Sequence, residues 1–194
     1  MDSFTSSAVL VVIAIILSLV GICIAIHNGI IANANRIRRS WADVITYQRQ
    51  KTNILDGLTP HLKGYTDYES GLLKSITSLR SQISELPATP DNASLASVQN
   101  NTQALLGGLR VAFEAYPTLE ASKILSNVMR EIVEQEENIG ASIQIYNASV
   151  EYFNNSIQTV FGSLINRMFT GKQEAESFSD SKAASNFEFA PKLP

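Results

Sequence analysis

The sequence predicts an all-α protein in which one N-terminal transmembrane helix is followed by a long antiparallel helical bundle of three to four helices. Three observations support this prediction: an apolar run without a charge, apolar residues that recur every three to four positions along most of the remaining chain, and a proline-containing turn between two such segments. The predicted boundaries are an N-terminal flank at 1–7, the transmembrane helix at 8–26, a basic juxtamembrane segment at 27–40, the bundle at 41–170 and a disordered tail at 171–194.

The apolar run from Ala8 to Ile26 has the length of a membrane span. At about 1.5 Å of rise per residue it covers roughly 28 Å, close to the roughly 30 Å hydrocarbon core of a bilayer. A secretory signal peptide is the alternative, because Ala32-Asn33-Ala34 resembles a cleavage site. The run is longer than the usual about 7 to 15 apolar residues, and the flank before it contains Asp2 and no Lys or Arg, so the membrane span is favoured.

The arginines that follow the span predict its orientation. Arg36, Arg38 and Arg39 lie on its C-terminal side, so the N-terminus is expected outside and the bundle in the cytoplasm. These residues either contact anionic lipid headgroups of the bilayer or only set the topology. Trp41 fits an interfacial anchor and the first core residue of the next helix equally well.

The segment from Trp41 to Leu86 is predicted to form one long helix. Apolar residues recur in it with a seven-residue rhythm that only Gln48, Lys51 and Glu69 interrupt. Pro60 lies inside this segment and predicts a kink or a short break.

Two further helices are predicted after a reversal at Pro87–Asn92, where Asp91 or Asn92 can cap the next helix. The second helix runs from Leu95 to Tyr116 and is stopped by Pro117, and its paired glycines, 107 and 108, permit close helix contact. The third has an apolar seam from Leu125 to Leu164, with Glu136 as its one charged member.

Antiparallel reversals predict which charges on these seams meet. A reversal at the first turn places Glu69 beside Arg110, and a similar reversal at the second brings Glu136 near Arg80. We interpret these four residues as structural ion pairs that fix helix register, because an unpaired buried charge would be driven neutral.

A difference in helix length predicts self-association. The second helix is too short to cover the first and the third, which leaves an apolar stripe without a partner: Tyr146, Val150, Phe153, Ile157 and Val160. Either the third helix turns back near Gly140 to form a fourth helix, or the stripe packs against a second copy, and a homo-oligomer is favoured.

Two further patterns in the sequence have alternative interpretations. Asn92, Asn100, Asn147 and Asn154 match the glycosylation acceptor pattern, but they are interpreted as caps and helix-surface amides. In the predicted tail, three aromatic residues are either anchors of a short docking motif or incidental: Phe178, Phe187 and Phe189.

The composition limits the classes of function. The sequence contains no known catalytic motif, its two histidines lie far apart, and the single Cys23 lies in the membrane span, so no catalytic, cofactor or metal site is expected. A net charge of −3, with basic residues clustered only near the membrane, argues against nucleic-acid binding. The sequence predicts a scaffold or protein-interaction module with an unknown protein partner; the alternatives are a homo-oligomeric membrane-organising protein and, with reversed topology, an extracytoplasmic sensor.

Several stretches between Asn28 and about Phe169 carry a resemblance to a known family: Arg39–Val44, Leu62–Tyr65, Glu69, Arg80, Ala115–Leu119, Glu136, Ile139, Tyr146-Asn147, Asn154, Phe161 and Leu164-Ile165. Through these stretches the sequence resembles the LemA family of bacterial membrane-anchored helical proteins. The resemblance implies an N-terminal span in the bacterial cytoplasmic (inner) membrane, an antiparallel bundle of about four helices and no established enzymatic activity, and some magnetosome proteins look like relatives. The chain departs from the family pattern in two places. Between Gln50 and Leu58 a basic pair that is usual in the family is absent, and near Ile143 a usual basic residue is missing.

Overall fold

A computed structural model describes the backbone of residues 2–62, 69–115 and 119–179, and the side chains of residues 7–58, 71–114 and 123–179. Every regular element within these ranges is helical, which confirms the predicted all-α class. The elements are α1 (Asp2–Leu62), α2 (Glu69–Ser84), α3 (Asn92–Ala115), α4 (Leu119–Gln158), the short α5 (Val160–Ile165) and a π-helical turn (Asn166–Thr170).

Helix α1 contains the predicted membrane span. The large apolar side chains from Val9 to Ile24 are exposed along the whole run, from 47% at Ile13 to 65% at Leu10 and Leu17. In length and composition the helix is able to cross a membrane. Helix α1 continues without interruption through the predicted juxtamembrane segment at 27–40.

The described residues form two compact units. Unit 1 contains those of Met1–Ile37 and Ala148–Glu176, and unit 2 contains those of Arg38–Asn147 and Ser177–Pro194. Unit 2 holds the four-helix part of the fold. Its core includes side chains with at most 1% exposure on all four helices: Trp41, Leu55, Ile76, Leu79, Leu105 and Ile132.

The segment from Trp41 to Leu86, predicted as one long helix with a kink or short break at Pro60, is instead divided after Leu62 into two antiparallel helices, α1 and α2. Trp41 Nε1 donates to the Pro87 carbonyl at 3.0 Å, and Arg80 Nη2 lies 2.7 Å from Asp56 Oδ1. As residue numbers rise along α1, the numbers of the residues that α1 contacts on α2 and in the turn after it fall, so the two helices run antiparallel. The apolar pattern could not reveal the reversal, since the end of α1 and the start of α2 are seven residues apart and the seven-residue count continues across it.

The predicted hairpin between the next two helices is present. Asn101 Nδ2 on α3 donates to Gln82 Oε1 on α2 at 2.6 Å. A Cβ atom at Gly108 would lie 3.0 Å from Leu72 Cδ2, so this glycine permits the close approach of the two helices. Residue numbers again run in opposite directions along the pair.

Asp91 forms the predicted cap of α3. Its Oδ1 accepts from the Ser94 backbone N–H at 3.0 Å, and its Oδ2 accepts from the Ser94 hydroxyl at 2.7 Å. The backbone hydrogen bond, followed by the hydroxyl, favours the ionised carboxylate and holds the pKa of Asp91 below its usual value. The stabilising effect of this cap is therefore present above the unfolded pKa and is lost as pH falls through the lowered folded pKa.

The fourth helix arises from the division of the first predicted helix and not from a turn near Gly140. Helix α4 passes through Gly140, because a single helical glycine costs only about 1 kcal/mol. The helix ends at Gln158, and Thr159 Oγ1 then accepts from the Gly162 N–H at 3.2 Å to cap α5. A Cβ atom at Gly162 would lie against the Ser156 carbonyl oxygen, so this turn requires glycine.

Candidate functional site

A buried lysine joins three helices in the core of unit 2. The Lys51 side chain on α1 is 0% exposed, and its Nζ donates to Glu136 Oε1 on α4 at 2.7 Å and to Thr102 Oγ1 on α3 at 2.8 Å. Desolvation by burial lowers the pKa of Lys51, and the charge and hydrogen bond of Glu136 oppose that shift. The net lowering indicates that Glu136 compensates only in part for the loss of water.

Further polar groups surround this pair. Gln48, one turn before Lys51, is 0% exposed, and its Nε2 and Oε1 have no hydrogen-bond partner among the described residues. Gln135 Nε2 on α4 donates to the Tyr47 carbonyl at 2.9 Å and to Gln50 Oε1 at 3.3 Å. These bonds between α1 and α4 fix the register of the two helices, the best-attested use of buried polar groups.

The predicted pairing of Glu136 with Arg80 is wrong. Arg80 instead contacts Asp56, with side-chain exposures of 42% and 49%, so that pair contributes at most about 1 kcal/mol. Since α2 is separate from α1, the seam that faces Glu136 belongs to α1 and supplies Lys51. Arg110 is exposed on α3, and Glu69 begins α2 with its side chain outside the described residues.

The predicted self-association stripe is internal except at its end. Tyr146, Val150, Phe153 and Ile157 are 1% to 6% exposed, whereas Val160 is 81% exposed. The prediction began the first helix at Trp41 and so omitted the part of α1 that precedes it. In unit 1, the side chains of Ile30 and Ile37, one heptad apart on that part of α1, are buried. The Arg36 guanidinium lies 5.2 Å from the centroid of the Tyr152 ring on α4.

Among the four residues predicted at the membrane interface, Trp41 is a core residue of unit 2. Its side chain is 0% exposed and its ring centroid lies 5.4 Å from that of Tyr146. Arg36, Arg38 and Arg39 are exposed on α1. No group of three or more His, Cys, Asp or Glu side chains within 7–58, 71–114 and 123–179 has the placement of metal ligands.

Residues 171–179, which we call the C-terminal segment, are ordered against asparagine side chains, so the predicted disorder is wrong for them; residues 180–194, with Phe187 and Phe189, lie outside the described residues. In unit 2, Asn147 Nδ2 donates to the Phe178 carbonyl and Asn147 Oδ1 accepts from the Phe178 N–H, both at 2.8 Å. Asn92 Nδ2 donates to the Ser177 carbonyl at 3.2 Å. The Phe178 side chain is 6% exposed, which makes it a buried anchor.

The same arrangement recurs in unit 1. Asn154 Nδ2 donates to the Ala175 carbonyl and Asn154 Oδ1 accepts from the Ala175 N–H, both at 2.9 Å. Asn166 forms an equivalent pair of bonds with Lys172, also at 2.9 Å. An asparagine amide presents one donor group and one acceptor side by side, so each pair of bonds satisfies both the N–H and the carbonyl of one residue, much as a neighbouring β-strand would.

Asn147 and Asn154 both lie on α4, and each binds a residue of the C-terminal segment within its own unit. This role differs from the predicted one, in which both asparagines are caps or helix-surface amides. The available signal was that two asparagines, poor helix formers, stand one heptad apart and directly follow the seam residues Tyr146 and Phe153.

Comparisons with known proteins identify the family of this chain. The model of the LemA family matches residues 40–191, a range that includes the bundle, α5 and the C-terminal segment. Protein LemA of Metamycoplasma hominis is 28% identical over 138 residues, which cover 71% of this chain and 62% of that relative, so the chain spans less than two thirds of the relative's length. Because the family model covers well over half of the chain, this protein belongs to the LemA family.

Proposed function

We propose that this chain is a single-pass, membrane-anchored binding module rather than an enzyme, and that α4 binds an extended polypeptide segment. The observation that carries the proposal is the reciprocal hydrogen bonding of Asn147 to the backbone of Phe178, whose side chain is buried. The buried polar groups of unit 2 fix helix register, whereas the surface of α4 around Asn147 already binds the backbone of another residue.

The contacts divide recognition into two parts. The asparagine amides bind backbone groups and so accept any sequence, whereas the site of the Phe178 ring selects an apolar or aromatic side chain. The chain's own C-terminal segment occupies this surface. Since the segment is tethered, its effective concentration is on the order of millimolar, and a partner must displace it in order to bind.

A labelled synthetic peptide with the sequence of residues 171–179 is expected to bind the full chain in mild detergent once the internal segment is weakened. Phe178→Asp, which places a charge at a buried position, should raise affinity for the peptide at least roughly tenfold over wild type. Adding Asn147→Ala should then reduce affinity roughly thirtyfold, because two hydrogen bonds of about 1 kcal/mol each are lost. Fluorescence anisotropy measures both changes.

Asn155→Ala is the matched control, because Asn155 is an exposed asparagine on the same helix. It should leave the peptide affinity of the Phe178→Asp variant unchanged. The proposal is overturned if the peptide fails to bind the Phe178→Asp variant, or if Asn147→Ala and Asn155→Ala have equal effects. Circular dichroism of each variant checks that the helices remain folded.

The proposed location is the bacterial inner membrane, with the N-terminus outside and unit 2 in the cytoplasm. The exposed Arg36, Arg38 and Arg39 after the apolar run support this orientation. With Cys23 replaced by Ala, a cysteine at the exposed Glu137 should resist a membrane-impermeant thiol reagent in intact bacteria and react after the membrane is opened. Reaction in intact cells would instead support an extracytoplasmic module.

Homo-oligomerisation has no support from the stripe that suggested it. Four of its five side chains are buried within one copy of the chain, so they offer no surface to a second copy. The membrane-organising alternative rests on the long apolar seams and on the resemblance to magnetosome proteins, and no contact among the described residues adds to it. The extended-segment module is therefore the function that the described contacts support best.

A further inference from the structure

Unit 1 has an exposed apolar surface on α5 and the π-helical turn. Five large apolar side chains there, which we call the apolar cap, are 54% to 81% exposed: Val160, Phe161, Leu164, Met168 and Phe169. The opposite side of α5 is buried through Gly162 and Ile165. A short helix that is apolar on both sides differs from the usual surface helix, which places polar residues outward. A contiguous exposed apolar surface of this kind marks an interaction site.

The apolar cap lies beside the end of the predicted membrane span. The Phe169 ring meets the His27 ring edge-on, with centroids 6.4 Å apart and planes at 89°. His27 directly follows Ile26, the last residue of the apolar run, and both rings belong to unit 1. If the run fills the hydrocarbon core, Phe169 is held at the level where acyl chains meet headgroups.

The residues next to the cap suit that boundary. Arg167 lies within the π-helical turn and Lys172 follows it, and both are exposed. Apolar and aromatic side chains with nearby cations are typical of segments that lie in the interfacial plane of anionic membranes. A soluble partner would not explain why the surface is placed against the end of the span.

We propose that the apolar cap inserts into the bilayer interface beside the transmembrane helix, so that α5 and the π-helical turn form a second membrane contact of this chain. The proposal rests on the membrane anchor in the proposed function. Lipid is favoured over a second copy because the cap contacts the helix whose apolar side chains are themselves exposed along the predicted span. Membrane contact at two points of unit 1 would restrict the tilt of that unit on the bilayer.

The test uses the full chain with Cys23→Ala, reconstituted in liposomes of phosphatidylcholine and phosphatidylglycerol. An environment-sensitive NBD probe is attached to a single cysteine at Leu164 or Phe161. The matched control carries it at Glu151, an exposed polar position of α4 in the same unit. At the cap positions, quenching by lipids with a nitroxide near the headgroup should be roughly threefold or more stronger than at Glu151, and quenching by aqueous iodide should be weaker.

Three outcomes would overturn the proposal. Equal lipid quenching at Leu164, Phe161 and Glu151 would show that the cap remains in water. A blue-shifted emission that is insensitive to nitroxide lipids and disappears when more lipid dilutes the protein would show that a second copy covers the cap. Failure of the chain to float with the liposomes would refute the anchor as well, so flotation separates failure of the proposed function from failure of this inference. Circular dichroism confirms that each labelled variant is helical.

Discussion

Glu136→Gln is expected to lower the free energy of unfolding by about 3 kcal/mol, because it leaves the buried Lys51 ammonium without a counter-charge. Breaking a buried pair typically costs about 3 to 5 kcal/mol, and the lower end applies here because the Glu136 side chain is 26% exposed and water replaces part of the lost interaction. Denaturant unfolding of the full chain in mild detergent, followed by circular dichroism, measures the change.

Two comparisons separate charge burial from packing. The double variant Lys51→Met with Glu136→Leu removes both charges and should lie within about 1 kcal/mol of wild type or above it. Asp56→Asn breaks the exposed pair with Arg80 and should cost less than about 1 kcal/mol. Equal effects of Glu136→Gln and Asp56→Asn would contradict the buried ion pair.

The lowered pKa of Lys51 also sets a pH dependence. In the folded protein the lysine releases its proton at a lower pH than in the unfolded chain, where its pKa is 10.5. Between these two values the unfolded chain binds more protons, so the contribution of Lys51 to stability rises with pH. The difference in unfolding free energy between wild type and Lys51→Met should therefore shift in favour of wild type as pH approaches 10.5. A difference that stays constant with pH would contradict the lowered pKa.

The sequence predicted which side chains are interior more reliably than which side chains meet. Gln48 and Lys51 interrupt the first apolar seam and Glu136 interrupts the third; in the structure Gln48 and Lys51 are buried and Glu136 is partly buried. Periodicity reports the apolar face of a helix but not the direction of the next one, so it could not separate α1 from α2. Because α2 reverses the direction of the chain, the seam that faces Glu136 belongs to α1, and the partner of Glu136 is Lys51 instead of Arg80.

The C-terminal segment illustrates a second limit. Its composition is polar and without period, which is typical of disorder, because too few apolar groups are available to offset the entropy of ordering. In the structure, order comes from side chains of other elements: Asn147 and Asn154 bind its backbone and Phe178 is buried. Backbone recognition leaves almost no trace in the sequence of the recognised segment, so the signal lies in the asparagine spacing on α4.

Trp41→Ala is expected to destabilise the bundle by about 3 to 5 kcal/mol, the usual cost of truncating a large buried aromatic residue. The side chain is fully buried, packs on Tyr146, and donates through Nε1 to the Pro87 carbonyl, so its loss removes packing between α1 and α4 and a bond to the turn after α2. Trp41→Phe retains most of the volume but leaves that carbonyl without this donor, and should cost about 1 to 2 kcal/mol.

The same substitution decides between the two sequence interpretations of Trp41. An interfacial anchor would be almost neutral for bundle stability, within about 0.5 kcal/mol, like Ile145→Ala at the exposed neighbour of Tyr146. Because Trp41 is the single tryptophan of the chain, its fluorescence gives an independent readout. In the folded protein its emission should be blue-shifted and should resist quenching by both aqueous iodide and nitroxide lipids. Strong quenching by the lipids would instead indicate that Trp41 lies at the membrane interface.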